Sequence, residues 1–213
     1  GLFAGVLVDR ARKLPVIIWS DIARGLALAV VPVCAWLGIL SMPVLYAVGF
    51  LVGMGTVVGW PAYQVFMTER VGRSNLTEAN AKIGISDSTA QLVGPGLAGA
   101  LIQWLTAPVA ILLDAISFIV SAVMLRGIPP AASDEPKLSG ESVWREIGEG
   151  LRAVWTNPTL RALAWSLAAW QVFRHAYIAV VILFAARELG FSAGHVGVLF
   201  MLAGVGSLAA AGA

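Results

Sequence analysis

The chain has 213 residues, of which 59% are hydrophobic and only 12% charged, with a net charge of +2 and a mean hydropathy of +0.85. A soluble domain of this size carries roughly 25% charged residues, so a water-soluble globular protein is excluded, and basic residues scattered along the chain rather than gathered in one stripe exclude a nucleic-acid binder. The one cysteine, Cys34, lies in an apolar run, which excludes an intrachain disulfide or a thiolate metal site, and no metal site of any kind is expected.

A membrane-spanning helix needs about 20 mostly apolar residues. The first segment, 1–8, is too short and reads as the tail of a helix that begins earlier. Full spans are predicted at roughly 15–40, 43–67, 80–105, 107–126 and 160–186, and a further one starts near Ser192. Pro32, Pro61 and Pro95 fall inside spans, which membrane helices tolerate. Small residues four apart, such as Gly49/Gly53, Gly55/Gly59 and Ala90/Gly94, mark faces where helices approach closely in lipid.

The linkers alternate in character. Arg10/Arg12/Lys13, then Arg70/Arg73/Lys82, then Arg126/Lys137/Arg145/Arg152/Arg161 form basic islands; the links at Ser41–Pro43 and Thr106–Pro108 carry no charge, and the third of that kind carries only Arg187 and Glu188. Basic linkers stay in the cytoplasm, so three inward and three outward connections agree on one orientation. The longest polar stretch, 127–159, opens as a Pro-rich linker. It continues as an amphipathic helix, with Val143/Trp144, Ile147, Leu151 and Val154/Trp155 on one face and Arg145, Glu146, Glu149 and Arg152 between them. That helix is expected to lie at the cytoplasmic interface and to end at Asn157-Pro158.

Two motifs are specific. Gly5-Val-Leu-Val-Asp9-Arg10-Ala-Arg12-Lys13 resembles the signature loop between the second and third helices of major facilitator superfamily transporters. The resemblance implies that Gly5 allows close helix packing, that Asp9 caps a helix of the opposite half, and that the basic residues make charge pairs holding one gate state. Glu69 is then the partner for Arg10 or Arg12. Arg12 departs from the pattern, since a glycine is usual there. Ala90-Gln-Leu-Val-Gly94-Pro95-Gly96-Leu-Ala98-Gly99 resembles the Gly-Pro antiporter motif in the fifth helix of drug exporters of the same superfamily, with Ala90 and Ala98 in place of glycine. Pro95 removes a backbone donor and the flanking glycines admit a neighbouring helix. Further stretches, among them Gly59-Trp-Pro61, Leu113-Asp114-Ala-Ile-Ser117-Phe118 and Leu189-Gly190-Phe-Ser192-Ala-Gly194-His-Val-Gly197, resemble the macrolide-efflux and enterobactin-exporter branch. The resemblance covers the whole chain, from the second helix to part of the eighth of twelve. It divides the chain into part of an N-terminal bundle (1–126), a central cytoplasmic loop (127–159) and the start of a C-terminal bundle (160–213).

Ionisable residues inside spans are costly and mark partners or cavities. Asp21 and Arg24 are three apart on one helical face and are expected to neutralise each other. Asp114, near mid-span, is expected to join them. Asp87, on nearly the same face as Gly94, is a proton-site candidate, with a polar contact as the alternative. Arg174 and His175 sit mid-span with Gln171 one turn before them. Either one of them faces a central cavity, where histidine suits proton coupling, or both are satisfied by neighbouring helices.

The expected fold is all-α and polytopic, a partial twelve-helix major facilitator fold in a bacterial inner membrane. The expected function is secondary active export of a small amphipathic molecule (a drug, macrolide or siderophore-like compound) by proton antiport, driven by the proton-motive force without a cofactor. The partners are the lipid bilayer and the small-molecule substrate, with no nucleic acid, and the full-length protein is a monomer. An uptake permease and a transport-inactive sensor or partner subunit are the alternatives. No catalytic residue is expected: the Gly-x-Ser-Gly and His-Glu-x-x-His patterns of intramembrane proteases are both absent.

Overall fold

The computed structural model describes residues 12–71, 75–129 and 143–211. Among them it is all-α, with seven helices: α1 (Lys13–Trp36), α2 (Met42–Val71), α3 (Leu76–Leu105), α4 (Ala107–Arg126), α5 (Val143–Thr156), α6 (Pro158–Arg187) and α7 (Ala193–Ala211). Four of these, α1, α2, α4 and α6, are long and apolar enough to cross a membrane. Their outward faces are covered with large exposed apolar side chains, from Trp36 and Phe50 to Trp165, Trp170 and Phe173. No water-soluble protein sustains such a surface. In lipid it is the stable one, because helices satisfy their own backbone groups there.

The helices follow the expected spans closely, with informative differences. The first was expected to run to residue 40. It stops at Trp36 because Gly38 adopts φ +71, with Gly38 N–H bonded to Ala35 O at 3.1 Å and Ile39 N–H to Cys34 O at 3.0 Å. That is a Schellman cap, and the left-handed residue is a glycine because a Cβ would be strained there. The third span, expected at 80–105, is part of a 30-residue helix starting at Leu76. Its first turns carry Glu78 and Lys82, paired at 2.8 Å, and its length of about 45 Å exceeds a bilayer core, but the Ser, Thr, Gln, Gly and Pro residues along 88–105 leave α3 outside the four helices apolar enough to span.

α5 ends at Thr156, and Asn157 caps α6: its Oδ1 accepts from the amides of Thr159 and Leu160 at 3.0 and 3.3 Å, with Pro158 in the first turn. On α5, Arg145 and Glu149 pair at 3.0 Å one turn apart, and Leu151 and Trp155, four apart, are exposed on one face. The side chains of Val143, Trp144 and Ile147, expected on that same face, lie outside the described ones.

The chain forms two compact units that interleave along the sequence. One contains α1, α2, α4 from Ile111, and α5 to Ala153; the other contains α3, α6 and α7. In the first, α1 and α2 run antiparallel, with Leu14 and Ile17 packed on Ala62 and Phe66 at one end and Ala27 and Val31 on Val48 at the other. Ala62 is wholly buried, and the Pro32 side chain is sealed inside.

Replacing the Asn157 cap should be felt locally. Asn157→Ala is expected to cost about 1 kcal/mol. Hydrogen exchange at Thr159 and Leu160 should then accelerate roughly fivefold, with no change in the middle of α6.

Candidate functional site

In the first unit a charged network occupies the contact of α1 with its neighbours. Asp21 is 4% exposed and forms an ion pair with Arg24, one turn along α1. Its other carboxylate oxygen accepts from Ser121 Oγ of α4 at 2.7 Å. The Arg24 Nε donates to the Ser20 carbonyl at 3.3 Å, and its guanidinium lies 4.5 Å from the centroid of the Phe118 ring. Both oxygens of the buried carboxylate and the Nε and Nη2 of the guanidinium thereby have partners, as a charge in an apolar interior requires. Glycines make the room. A Cβ at Gly55 of α2 would stand 2.7 Å from Arg24 Cγ, one at Gly59 would stand 3.1 Å from Ser20 Cβ, and one at Gly25 would stand 3.0 Å from the Ala115 carbonyl of α4.

Asp114 stays outside this network. It is exposed, and its backbone carbonyl accepts the Ser117 hydroxyl at 2.7 Å. Ser121, two turns further along α4 and about 10 Å away, supplies the contact to Asp21 instead. The signal was present in the sequence: Asp114, Phe118 and Ser121 recur at helical spacing, and a serine meets a carboxylate without a second charge to neutralise. Beside the network, α1 and α2 enclose an open apolar cavity of about 850 Å³, lined by Trp19, Ser20, Leu26, Met54, Gly55 and Val58 among others. That is the size and character of a small-molecule site.

Of the gate-loop residues, Gly5, Asp9 and Arg10 lie outside the described residues. Lys13 is 2% exposed in the first turn of α1, whereas Arg12 is exposed. Glu69, half-buried near the end of α2, forms no ion pair with Arg12 among the described residues. Neighbouring positions at a helix start point about 100° apart, so turning Lys13 inward turns Arg12 out.

In the second unit, α3 and α7 meet backbone to backbone. A Cβ on Gly99 would lie 2.5 Å from the Ala193 carbonyl oxygen and 3.0 Å from Gly197 Cα; one on Gly197 would lie 2.5 Å from the Pro95 carbonyl oxygen. A Cβ on Gly96 would lie 3.1 Å from Met201 Sδ. The close approach thus runs through Pro95, Gly96 and Gly99. Gly94, its expected member, has nothing within 4 Å, and Ala90 is exposed. Beyond Gly99 the Ser192 hydroxyl bridges to Gln103 Oε1 at 3.3 Å and to His195 Nδ1 at 2.8 Å. Sequence reasoning missed Ser192, Gln103 and His195 as functional candidates, because only the seam brings Gln103 to the start of α7.

The remaining candidates are exposed. Asp87 on α3 makes no hydrogen bond or ion pair among the described residues. On α6, Arg174 Nε donates to Gln171 Oε1 at 3.2 Å, and His175 Nδ1 lies 2.8 Å from the Gln171 carbonyl oxygen. A carbonyl only accepts, so Nδ1 carries the hydrogen and Nε2 is left for another partner.

Comparison with known proteins agrees with this architecture. The family model described as Major Facilitator Superfamily matches residues 1–213. The uncharacterized MFS-type transporter y4rN of Sinorhizobium fredii is 30% identical over 207 residues, covering 95% of this chain and 50% of that protein. The multidrug efflux pump Tap of Mycolicibacterium fortuitum is 30% identical over 170 residues, 76% of this chain and 42% of that protein. The chain therefore spans about half the length, or less, of the curated relatives it matches. No solved structure gives a significant match.

Two sets of substitutions test the geometry in the full-length protein. Arg24→Leu leaves a buried carboxylate unpaired and should destabilise by about 3–5 kcal/mol, whereas Asp21→Leu/Arg24→Leu together should recover most of that loss; thermal unfolding in detergent measures both. Gly99→Ala forces backbone apart and should cost about 1–3 kcal/mol, while Gly94→Ala, with open space around it, should leave the melting temperature within a degree or two.

Proposed function

Because the chain belongs to the Major Facilitator Superfamily, whose transporters rock two halves about a midplane site, we propose that it forms the core of an exporter of small amphipathic molecules coupled to proton entry. The observation that carries this reading is the seam of Pro95, Gly96 and Gly99 against Ala193 and Gly197. The residues resembling the exporters' antiporter motif stand at a helix crossing with no side chain between the backbones. The division proposed from the sequence assigns α3 to the first half and α7 to the second, so this crossing joins the halves at the ends of the helices away from the basic linkers. Closing it shuts the outward side, and parting it opens a path out. The name of the Mycolicibacterium relative, a multidrug efflux pump, supports the direction.

The protein is a multi-pass membrane transporter, and the chemistry asked of it is binding and release rather than bond making. The apolar cavity between α1 and α2, with Trp19 and Met54 in its wall, suits the apolar body of an amphipathic substrate. The basic linkers place the ends of α2 and α4 on the cytoplasmic side of a bacterial inner membrane, with α5 lying at that interface through Leu151 and Trp155. Lys13, Arg12 and the preceding Asp9–Arg10 form the cytoplasmic latch. Asp87 on α3 or His175 on α6 exchanges protons as access alternates. The monomer works in the bilayer alone, on the proton-motive force, with neither cofactor nor nucleic acid.

Cells expressing the full-length gene should accumulate fluorescent amphipathic dyes less than control cells, and a protonophore should abolish the difference. Asp87→Asn/His175→Ala should remove proton-driven export while leaving the protein inserted. Full protonophore-sensitive export by that double variant would refute the assignment of the proton sites.

A further inference from the structure

Next to the glycine seam, three polar side chains meet where the seam is otherwise apolar. Gln103 reaches across from α3, and its carboxamide oxygen lies where any side chain at position 194 would have to be. Ser192, just before α7, contacts Gln103 Oε1 at 3.3 Å and His195 Nδ1 at 2.8 Å, and accepts the His195 backbone N–H at 3.4 Å. The imidazole also lies 5.7 Å from the Phe191 ring, beside a cavity of about 530 Å³ whose wall includes Trp104 and Val198. No other ionisable side chain lines that cavity among the described residues. From α3 the imidazole is faced by Gln103 and Trp104, both uncharged. The nearest ionisable groups along the chain, Arg187 and Glu188 before α7, make no hydrogen bond or ion pair with the ring among the described residues.

We propose that His195 is a proton-binding site, and that its protonation directs the Ser192 hydroxyl hydrogen to Gln103, fastening α3 to α7 at the outward end of the seam. The serine hydroxyl has one hydrogen to give, and two neighbours able to accept it: Nδ1 of a neutral ring and Oε1 of Gln103. With the ring neutral and its hydrogen on Nε2, Nδ1 at 2.8 Å competes with Gln103 Oε1 at 3.3 Å for the hydroxyl hydrogen. With the ring protonated, both nitrogens carry hydrogen, so Nδ1 donates to Ser192 Oγ. The hydroxyl hydrogen then has Gln103 as its remaining acceptor, and the bond across the seam forms at full strength. One proton is taken up and no other group is consumed. Acidity on the outward side therefore tightens the closed seam, and loss of the proton loosens it.

This inference borrows from the proposed function only the orientation that turns these ends outward; it does not require export. The test uses the full-length protein, stripped of native cysteines, in lipid nanodiscs, with spin labels at the exposed Leu105 and Leu189 positions. Pulsed dipolar spectroscopy reads the short- and long-distance populations between pH 8 and 5.5. In the parent protein the short:long ratio should rise roughly two- to tenfold on acidification, the worth of one hydrogen bond. His195→Leu, Ser192→Ala and Gln103→Leu should each flatten that response. A parent ratio indifferent to pH, or an undiminished response in Ser192→Ala, would overturn the proposal. Should His195→Leu fail to insert, Ser192→Ala and Gln103→Leu decide it, since each retains the imidazole. Absence of dye export with the pH response intact would sink the exporter reading and leave the proton site standing.

Discussion

The contact on which the functional reading depends is the approach of two backbones at Gly99 and Gly197. Helices in lipid gain nothing from apolar burial, because the solvent is already apolar, so they associate through dispersion and the few polar groups they share. Dispersion falls steeply with distance, and a pair of facing glycines is the arrangement that brings whole peptide units within its range. A methyl group on either residue would stand 2.5 Å from a carbonyl oxygen. The seam is thus selective for glycine for a steric reason, and the same reason makes it easy to part: no ion pair crosses it among the described residues.

Much of the architecture was legible in the sequence because bilayer thickness sets helix length and charge cannot be hidden within it. α4 runs over the very residues expected, between the Thr106 turn and Arg126, and the Asn157-Pro158 junction separates α5 from α6 as its capping chemistry requires. The end of α1 was less legible. Gly38 sits in an apolar run that periodicity alone continues to residue 40, and only the left-handed φ identifies it as a stop. The polar beginning of α3 was read as linker, although Glu78 and Lys82 are spaced to support each other on a helix.

The candidate sites were legible in proportion to how local they are. The Asp21–Arg24 pair and the Gln171–Arg174–His175 group lie within single turns, so helical spacing reveals them. What closes the first network comes from other helices: Ser121 and Phe118 of α4, and the absence of side chains at Gly55 and Gly59 of α2. Asp114 drew attention because it is charged, while the uncharged Ser121 supplies the actual partner. Gln103 and His195 are almost a hundred positions apart along the chain, and no pattern of spacing joins residues that meet only through a helix crossing. The antiporter-like motif shows the same limit. Its composition pointed to close packing, but the face that packs is set by the neighbour, and it runs through Gly96 and Gly99 rather than Gly94.

Glycine serves two different ends in the two units, and the contrast indicates which contact can move. At Gly55 and Gly59 it leaves space for a guanidinium and a serine of α1; the ion pair they flank lies within α1 and is tied to α4 by the Ser121 hydroxyl and the Phe118 ring, so parting those helices strands a buried charge. In the proposed exporter that contact belongs to the part that stays rigid. At Gly99 and Gly197 it leaves space for another backbone. What is lost on parting is many weak atom contacts of about 0.1–0.2 kcal/mol each and one bridging hydrogen bond, and lipid or substrate can replace the former. A cycle that opens and recloses many times needs a joint of the second kind, with a small directional interaction to choose between its states. The single hydrogen shared by Ser192, Gln103 and His195 has that scale: large enough to bias an equilibrium several-fold, and too small to lock it.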